Sequence, residues 1–333
     1  MTRLAVFGTG SWGTAFSLVL ADAGNEVVLW GRRRELVDAV NHRRENPDYL
    51  PGIALPETVR ATVDPAQAAE RAEVVVLALP AQTLRANLTA WAPLLPPDAL
   101  LVSLMKGIEL GTSRRMSEVV AEVTGAGPDR VAVVSGPNLA KEIAQRQPAA
   151  SVVACADEAV AEKLQQVCST TAFRPYTNTD VVGVELGGAV KNVIALAVGM
   201  AKGMGMGDNS QASIITRGLA EITRLGVVLG ADPLTFAGLA GVGDLVATCM
   251  SPLSRNRTFG ENLGRGMSLS EVTSVTRQTA EGVTSAESIL ALARAHHVDM
   301  PIVEHVEAAV RDGLPPEEIV RRIMSRTTKS ETD

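Results

Sequence analysis

The chain has little of what a disulfide framework or a metal site needs. Among its 333 residues are three cysteines without CxxC spacing and four histidines without an HxxxH or HExxH pattern. These counts argue against disulfides and against zinc, and we expect no metal. Aromatic residues make up only 3% of the chain, and its net charge is −6. A negative chain is a poor partner for nucleic acid or anionic membranes, so we expect a small-molecule partner.

Long apolar runs are missing as well. The amino terminus, MTRLAVFGTG, has no apolar signal core before a cleavage site. No uninterrupted apolar run reaches the ~18 residues that a membrane span needs. The sequence therefore predicts a soluble, cytoplasmic protein without an integral membrane segment.

Short apolar runs alternate with amphipathic stretches from residue 3 to about 176, which predicts a parallel sheet covered by helices. Beyond Asp180 the pattern changes to long helices without a convincing strand. We expect an α/β N-terminal Rossmann-like domain (doubly wound, mostly parallel sheet) at residues 1–179, an all-α domain at 180–326 and a polar tail at 327–333. The predicted strands are RLAVFG, EVVLWG, RATV, EVVVLALP, ALLVSL, RVAVVSG, ASVVACA and FRPYT.

A glycine-rich turn follows the first predicted strand. Gly8, Gly10 and Gly13 form GxGxxG and open a helical pattern. In this context the motif provides a tight turn, close backbone approach to a pyrophosphate, and amides at a helix start. A glycine turn without a ligand is the alternative, but the position favours a dinucleotide site.

The second predicted strand ends in an unusual way for an NAD site. Such sites usually have an acid there that holds the ribose hydroxyls. This chain has Gly31 followed by Arg32, Arg33 and Arg34. Because guanidinium groups attract a 2′-phosphate, we expect NADPH to be preferred over NADH, with Arg32 and Arg33 in contact with it. A solvated helix start is the alternative for one or two of these arginines. Shortly afterwards residues 45–57, with three prolines, interrupt the alternation as an inserted loop.

Lys191 is the most informative residue of the helical half. It lies in VVGVELGGAVKNVIALAVGMA, residues 181–201, where Glu185 is the only other charged side chain. Helical side chains lean over the preceding turn, so Gly187 and Gly188 are expected beneath the ammonium, with room for a ligand to approach it. The alternative is a lysine that snorkels from an amphipathic helix.

Other polar residues also stand in apolar or glycine-rich surroundings. Each of them alone could be a satisfied core group. Together, two lysines, a carboxylate and an Arg–Asn pair suit a small phosphorylated carbonyl compound, with arginine on the phosphate and lysines on the polarised oxygen. The set is Lys106, Asn138, Lys191, Asp244, Thr248, Ser254, Arg255 and Asn256.

These segments resemble those of the bacterial NAD(P)-dependent sn-glycerol-3-phosphate dehydrogenases. The resemblance implies reversible reduction of dihydroxyacetone phosphate to sn-glycerol 3-phosphate, the backbone precursor of glycerophospholipids. It also makes a homodimer the expected assembly. The matching segments, in the family's order from residue 8 to 283, are GTGSWGTA, SLMKGIE, SGPNLAKE, ELGGAVKNVIALAVG, GDNSQASIITRGLAEI, GLAGVGDLVATC, SRNRTFG and AEGV.

The resemblance also implies roles for individual residues. Lys191 is expected to be the proton donor and acceptor, and Lys106 to contact substrate near the nicotinamide. Asp244 and Thr248 would join the polar network around the reacting groups. Asn138 departs from the family, where Ser or Thr is common, which leaves its own role open. Further substrate contacts are expected from Gly136, Asn138, Ser254, Arg255 and Asn256, and cofactor contacts from Gly8, Gly10, Ser11, Trp12, Gly13, Arg32, Arg33, Lys106, Ala140, Arg255 and Glu281.

No motif contains a histidine, so Lys191 is the best proton source. Burial and the neighbouring cation Lys106 should lower the pKa of Lys191, while Asp244 should oppose that change. Two other functions stay open. A hydroxyacid or ketopantoate-type dehydrogenase shares the two domains and a catalytic lysine but takes a carboxylate substrate. A non-catalytic NADPH-binding sensor would not need the lysines, Asp244 and Arg255 together.

Overall fold

A computed structural model of the chain describes residues 1–276, 280–328 and 330. Residue 329 and residues 331–333 of the expected polar tail lie outside the described part. The N-terminal half contains an eight-stranded sheet with helices, and the C-terminal half is helical in every element described there. The expected fold class is confirmed.

All eight predicted strands form, and their order in the sheet is β3-β2-β1-β4-β5-β6-β7-β8. Neighbouring strands are parallel except β6 and β7, whose connection carries only one five-residue helix. The strands are β1 (Arg3–Phe7), β2 (Glu26–Trp30), β3 (Val59–Thr62), β4 (Val74–Leu77), β5 (Leu100–Ser103), β6 (Val131–Ser135), β7 (Ala149–Cys155) and β8 (Phe173–Asn178).

Helices cover this sheet, and all but one of them fall in stretches with a helical pattern. The exception is α6, whose five residues are too few to show a helical period. A π-helical turn, Ala39–Arg43, extends α2. The helices are α1 (Ser11–Asp22), α2 (Arg34–Asp38), α3 (Pro65–Ala69), α4 (Leu84–Trp91), α5 (Met116–Thr124), α6 (Ala140–Ala144) and α7 (Glu158–Cys168).

The second half is built around one long buried helix, α8 (Val181–Gly203). A Cβ atom on Gly199 would lie 2.1 Å from the Arg257 carbonyl oxygen, and one on Gly260 would lie 2.1 Å from the Leu196 carbonyl oxygen. Glycine at these places therefore lets the backbones of α8 and α12 touch. The remaining helices are α9 (Asp208–Val228), α10 (Pro233–Phe236), α11 (Asp244–Met250), α12 (Arg255–Gly264), α13 (Leu269–Val275), α14 (Glu281–Ala295), α15 (Pro301–Asp312) and α16 (Pro316–Met324).

Asp180 lies where the sheet gives way to the helices. One of its oxygens accepts a hydrogen bond from the Gly183 N–H (2.8 Å) and caps α8. The other accepts from the Asp232 N–H (2.9 Å) and from the Thr235 hydroxyl (2.7 Å). One side chain thus fixes the starts of two helices, while the domain bounds 1–179 and 180–326 stay a prediction.

Among the residues that the structure describes, two segments are long and apolar enough to cross a membrane by length and composition alone, Val181–Gly203 and Pro233–Met250. Neither is an uninterrupted apolar run, because Glu185 and Lys191 lie within the first and Asp244 within the second. In the first, 83% of the apolar window is buried inside the protein. That burial is typical of a core helix; in the second segment the buried share is 44%, and one or two segments of this kind are weak evidence of a membrane span.

Candidate active site

Two lysines from different halves of the chain converge on one carboxylate. Lys106 follows β5, Lys191 lies in the middle of α8, and Asp244 is the first residue of α11. The Lys106 Nζ atom donates to Asp244 Oδ2 at 2.6 Å and to the Gly136 carbonyl oxygen at 3.0 Å. Lys191 Nζ donates to Asp244 Oδ1 and, at 2.5 Å, to Thr248 Oγ1. The structure thus brings together all four residues predicted as catalytic.

Burial controls the charge of Lys191. Only 7% of its side chain and 1% of that of Asp244 are exposed. Burial, which disfavours the ammonium form, lowers the pKa of Lys191 to about 7; Asp244 acts against that change, and Lys106 adds to it. This is the direction expected from the sequence. A lysine with such a pKa can both give and take a proton near neutral pH.

The glycines beneath Lys191 have a different role from the one expected. A Cβ on Gly187 would lie 2.4 Å from the Ala240 carbonyl oxygen, and one on Gly188 would lie 2.6 Å from Ser135 Oγ. The stem of Lys106 is also close, since its Cγ would lie 3.4 Å from that second Cβ. The expectation of an open gap for a ligand is therefore wrong, because protein atoms fill the space. The missing side chains instead allow Lys106 and the turn before Asp244 to approach α8.

That turn is itself built by close glycine packing. It is a π-helical turn, Leu239–Gly243, and it leads directly into α11. A Cβ on Gly241 would lie 2.1 Å from the Phe236 carbonyl oxygen. Asp244 and Thr248 then stand one helical turn apart on the same face, where both reach Lys191. The predicted motif GLAGVGDLVATC thus shapes the turn and supplies the side chains.

The start of α12 carries the predicted substrate triplet. Ser254 is its N-cap, and its hydroxyl accepts from the Arg257 N–H at 3.2 Å. Arg255 is exposed, yet the protein atoms around its guanidinium remove enough water to lower its pKa, while Glu281 and Tyr49 act against that change. Both polar atoms of the Asn256 amide already have protein partners. A cation thus stands beside backbone N–H groups of the kind that bind phosphate.

The partners of Asn256 form a chain of side-chain amides. Asn256 Nδ2 donates to Asn192 Oδ1 at 2.9 Å, and Asn256 Oδ1 accepts from the Gly282 N–H at 2.9 Å. Asn192 Nδ2 in turn donates to the Lys106 carbonyl oxygen at 3.3 Å. Sequence reasoning missed Asn192, although its signal was present, since it is a buried polar residue directly after Lys191. These amide contacts link the loop that carries Lys106 to the starts of α12 and α14.

Glu281, predicted to contact cofactor, reaches the other half of the molecule. Its carboxylate accepts a hydrogen bond from the Ala81 backbone N–H, beyond the end of β4. Burial raises the pKa of Glu281, and both Arg255 and this hydrogen bond oppose that change. Glu281 therefore joins the substrate triplet to the strand ends of the sheet.

The GxGxxG turn has the backbone that a dinucleotide needs. Gly8 has a φ of +132°, and a Cβ there would lie 2.2 Å from the Ala78 carbonyl oxygen. A Cβ on Gly13 would lie 2.1 Å from the Gly8 carbonyl oxygen, whereas nothing lies within 4 Å of one on Gly10. Gly8 and Gly13 thus close the turn, and Gly10 leaves open space at the start of α1, where Ser11 and Trp12 follow. These residues fit a bound pyrophosphate.

Arg32 and Arg33 are both exposed beyond the end of β2, as the sequence predicts. Arg33 already has acidic neighbours. Its guanidinium forms an ion pair with Asp48 and a looser one, at 3.5 Å, with Glu35, and it lies 5.7 Å from the centre of the Tyr49 ring. The hydrogen bond to Asp48 is the largest cause that raises the pKa of Arg33. Sequence reasoning missed Asp48 because it lies in the inserted loop.

The loop after β6 borders the lysine pair. Gly136 has a φ of +138°, and its carbonyl oxygen holds Lys106. Asn138 Nδ2 donates to Ser151 Oγ at 3.0 Å, whereas its buried Oδ1 has no partner among the described residues. Ala140 is the first residue of α6. An acceptor without a partner, two residues after the Gly136 carbonyl that holds Lys106, is consistent with a substrate contact from Asn138.

A buried ion pair ties α8 to the Lys106 loop. Glu185 accepts from Arg115 Nη1 and from the Ser117 N–H, both at 2.8 Å, and also from the Ser117 hydroxyl. Arg115 and Ser117 lie at the start of α5, and Arg115 pairs with Ile108 across the loop that carries Lys106. We call Glu185, Arg115 and Ser117 the α5–α8 clasp. The sequence showed Glu185 as an isolated charge but gave no sign of its partners.

The chain is similar to known proteins over nearly its whole length. Two family models match it, the NAD-dependent glycerol-3-phosphate dehydrogenase N-terminus at residues 3–161 and the corresponding C-terminus at residues 180–321. A glycerol-3-phosphate dehydrogenase (NAD(P)+) of Streptomyces avermitilis is 68% identical over 329 residues, which cover 99% of this chain and 98% of the relative.

Solved structures agree with this result. The crystal structure of glycerol-3-phosphate dehydrogenase from Coxiella burnetii superposes with a TM-score of 0.93 at 37% identity, covering 98% of this chain and 99% of the other. A ketopantoate reductase from Ralstonia eutropha superposes with a TM-score of 0.60 at 16% identity, over 96% of this chain and all of the other. This second likeness concerns the fold alone.

Proposed function

Because the chain belongs to the NAD-dependent glycerol-3-phosphate dehydrogenase family, we propose that it catalyses the reversible, NAD(P)H-dependent reduction of dihydroxyacetone phosphate to sn-glycerol 3-phosphate. The product is the backbone precursor of glycerophospholipids. The observation that carries this proposal is the pair Lys106 and Lys191 on the buried carboxylate of Asp244.

Lys191 is the proposed acid and base. A reduced nicotinamide, held by the GxGxxG turn and Glu281, would supply the hydride for the C2 carbonyl carbon of the substrate. The carbonyl oxygen then becomes negative, and Lys191 gives it a proton; in the reverse direction neutral Lys191 removes the proton from the hydroxyl. Its pKa of about 7 lets one residue serve both directions.

The neighbours of Lys191 prepare this transfer. Asp244 and Thr248 hold its ammonium group in place, because each accepts a hydrogen bond from it. Lys106 is held by Asp244 and Gly136 and is less buried, with 15% of its side chain exposed. Its fixed charge would stabilise negative charge on the substrate oxygen.

The start of α12 is the proposed phosphate site. Arg255 is the one cation of the triplet Ser254, Arg255 and Asn256, and the first N–H groups of a helix attract anions. Asn256, whose amide is bound to Asn192 and Gly282, fixes the position of this helix start. Gly136 and Asn138 would border the substrate on the side of Lys106.

A dinucleotide would lie along the strand ends from the GxGxxG turn to Glu281. The relatives' name supports use of NAD or NADP. A preference for NADPH is our proposal, supported by the exposed Arg32 and Arg33 at the end of β2. The proposed holding residues are Gly8, Gly10, Ser11, Trp12, Gly13, Arg32, Arg33, Lys106, Ala140, Arg255 and Glu281.

A cytoplasmic homodimer without a nucleic-acid partner is the proposed setting. The net charge of −6 supports the last point, since nucleic-acid binding needs a positive surface. Sedimentation of the purified chain measures the assembly directly. A monomer at all concentrations would contradict the homodimer.

The function is tested by following the loss of nicotinamide absorbance with dihydroxyacetone phosphate, using NADH and NADPH in parallel. Glyoxylate, pyruvate and ketopantoate serve as carboxylate controls. We expect rapid oxidation with the phosphorylated triose and little with the carboxylates. The opposite order would favour the hydroxyacid or ketopantoate-type dehydrogenase, and no oxidation with any substrate would favour the sensor.

A further inference from the structure

The inserted loop, residues 45–57, is anchored on the glycine-rich turn. Asn46 is fully buried, and its Nδ2 donates to the Thr9 carbonyl oxygen and to the Thr14 hydroxyl, both at 2.9 Å. The Asn46 carbonyl oxygen accepts from the Leu50 N–H at 2.9 Å. Leu50 in turn is buried in a small apolar cluster with residues of α1. The residues between Asn46 and Leu50 are therefore held in place beside the proposed cofactor site.

This anchor carries Asp48 to the end of β2. Asp48 forms its ion pair with Arg33, two residues beyond Gly31, and Gly31 itself packs on the glycine-rich turn, since a Cβ there would lie 2.5 Å from Thr9 Cγ2. An acid usually stands at the end of β2 in an NAD site. The chain lacks one there in sequence, but the fold supplies one from the inserted loop.

An acid at this place acts in opposite ways on the two cofactors. A ribose 2′-hydroxyl can donate a hydrogen bond to a carboxylate. A 2′-phosphate is repelled by the same carboxylate and must share Arg33 with it. Arg33 and Asp48 are 44% and 50% exposed, so solvent screens both effects and keeps them moderate.

We propose that Asp48 is a specificity-determining residue, which supports NADH and restrains the preference for NADPH that Arg32 and Arg33 create. This inference rests on the proposed function only in requiring that the chain binds these dinucleotides. It goes beyond that function by making dual use of NADH and NADPH a property of one loop residue.

The test is Asp48→Asn, which keeps the size of the side chain and removes its charge. Dissociation constants for NADPH and NADH are measured on the full chain by fluorescence titration without substrate. We expect NADPH to bind about 2- to 5-fold more tightly and NADH to bind equally or more weakly, a range set by the screened coupling of exposed charges. The NADPH gain should shrink at high salt.

Two further variants make the result specific. Glu57→Gln removes the same charge from the far end of the loop and should leave the NADPH/NADH ratio as in the wild type. In an Arg33→Ala background, Asp48→Asn should lose the part of its NADPH gain that comes from competition for Arg33 and keep the part that comes from direct repulsion of the 2′-phosphate.

An unchanged ratio in Asp48→Asn, or an equal change for both cofactors, would overturn the assignment of Asp48. A ratio that rises as much in Glu57→Gln would also overturn it, because net charge alone would then explain the effect. If the wild type binds neither cofactor, the proposed function fails together with this inference. If the wild type binds both cofactors and Asp48→Asn leaves the NADPH/NADH ratio unchanged, only the role assigned to Asp48 is refuted.

Discussion

Replacing Asp244 by asparagine should shift the pH dependence of reduction toward acid. Asp244 is the main group that keeps the buried Lys191 protonated, because burial and Lys106 both lower the pKa of Lys191. Removing an opposite charge at hydrogen-bond distance changes a pKa by about 1–3. With a wild-type pKa of about 7, roughly half of Lys191 is protonated at pH 7. If Asp244→Asn lowers that pKa by about 1, only about a tenth of Lys191 is protonated at pH 7.

The pH dependence of kcat is expected to be opposite for reduction and for oxidation. Reduction needs protonated Lys191, so its kcat should fall as the pH rises through the pKa. Oxidation of sn-glycerol 3-phosphate needs the neutral amine, so its kcat should fall as the pH drops through the same pKa. In Asp244→Asn both midpoints should move to lower pH, and reduction at pH 7 should lose at least about 5-fold from protonation alone.

Lys106→Met is a matched variant that should change the pKa of Lys191 in the opposite direction. It removes a positive neighbour that lowers the pKa of Lys191, so the midpoints should move to higher pH. The assay is kcat at saturating substrate between about pH 5 and 9 in both directions for all three proteins. Midpoints that stay at the wild-type value, or that move the same way in the two variants, would refute the role given to Lys191.

Three further variants test other parts of the protein. Arg255→Ala should mainly raise the KM for the phosphorylated substrate, and an unchanged KM would place the phosphate elsewhere. Exchanging Arg32 and Arg33 together for alanine should weaken NADPH binding far more than NADH binding, whereas equal weakening would remove the basis for the cofactor preference. Glu185→Ala leaves Arg115 without its buried partner and should lower the free energy of unfolding, measured in urea, by about 3–5 kcal/mol. A decrease below about 1 kcal/mol would mean that the α5–α8 clasp contributes little to stability.

The order of the fold could be predicted because its signals are local. Eight apolar runs became eight strands, and the GxGxxG turn has the backbone that its spacing implies. The sequence also indicated four residues of the site, because polar side chains stand out in apolar or glycine-rich stretches. They are Lys106, Lys191, Asp244 and Thr248. Their convergence on one carboxylate needed the resemblance to a known family as well.

What could not be predicted depends on partners distant in sequence. Gly187 and Gly188 suggested a gap, but only the fold shows that Ala240 and Ser135 occupy it. Glu185 and its partner Arg115 are 70 residues apart. The inserted loop was identified by its prolines, but its contacts with the glycine-rich turn and with Arg33 are tertiary. Residue patterns show which groups are unusual, and tertiary packing determines which atoms they contact.

The central claim is that Lys191 transfers the proton in the reduction of dihydroxyacetone phosphate. The most direct measurement compares kcat of the wild type and Lys191→Ala at saturating NADPH and substrate, with NADPH binding titrated separately. We predict a loss of at least ~100-fold in kcat with NADPH still bound. Turnover near that of the wild type would contradict the claim.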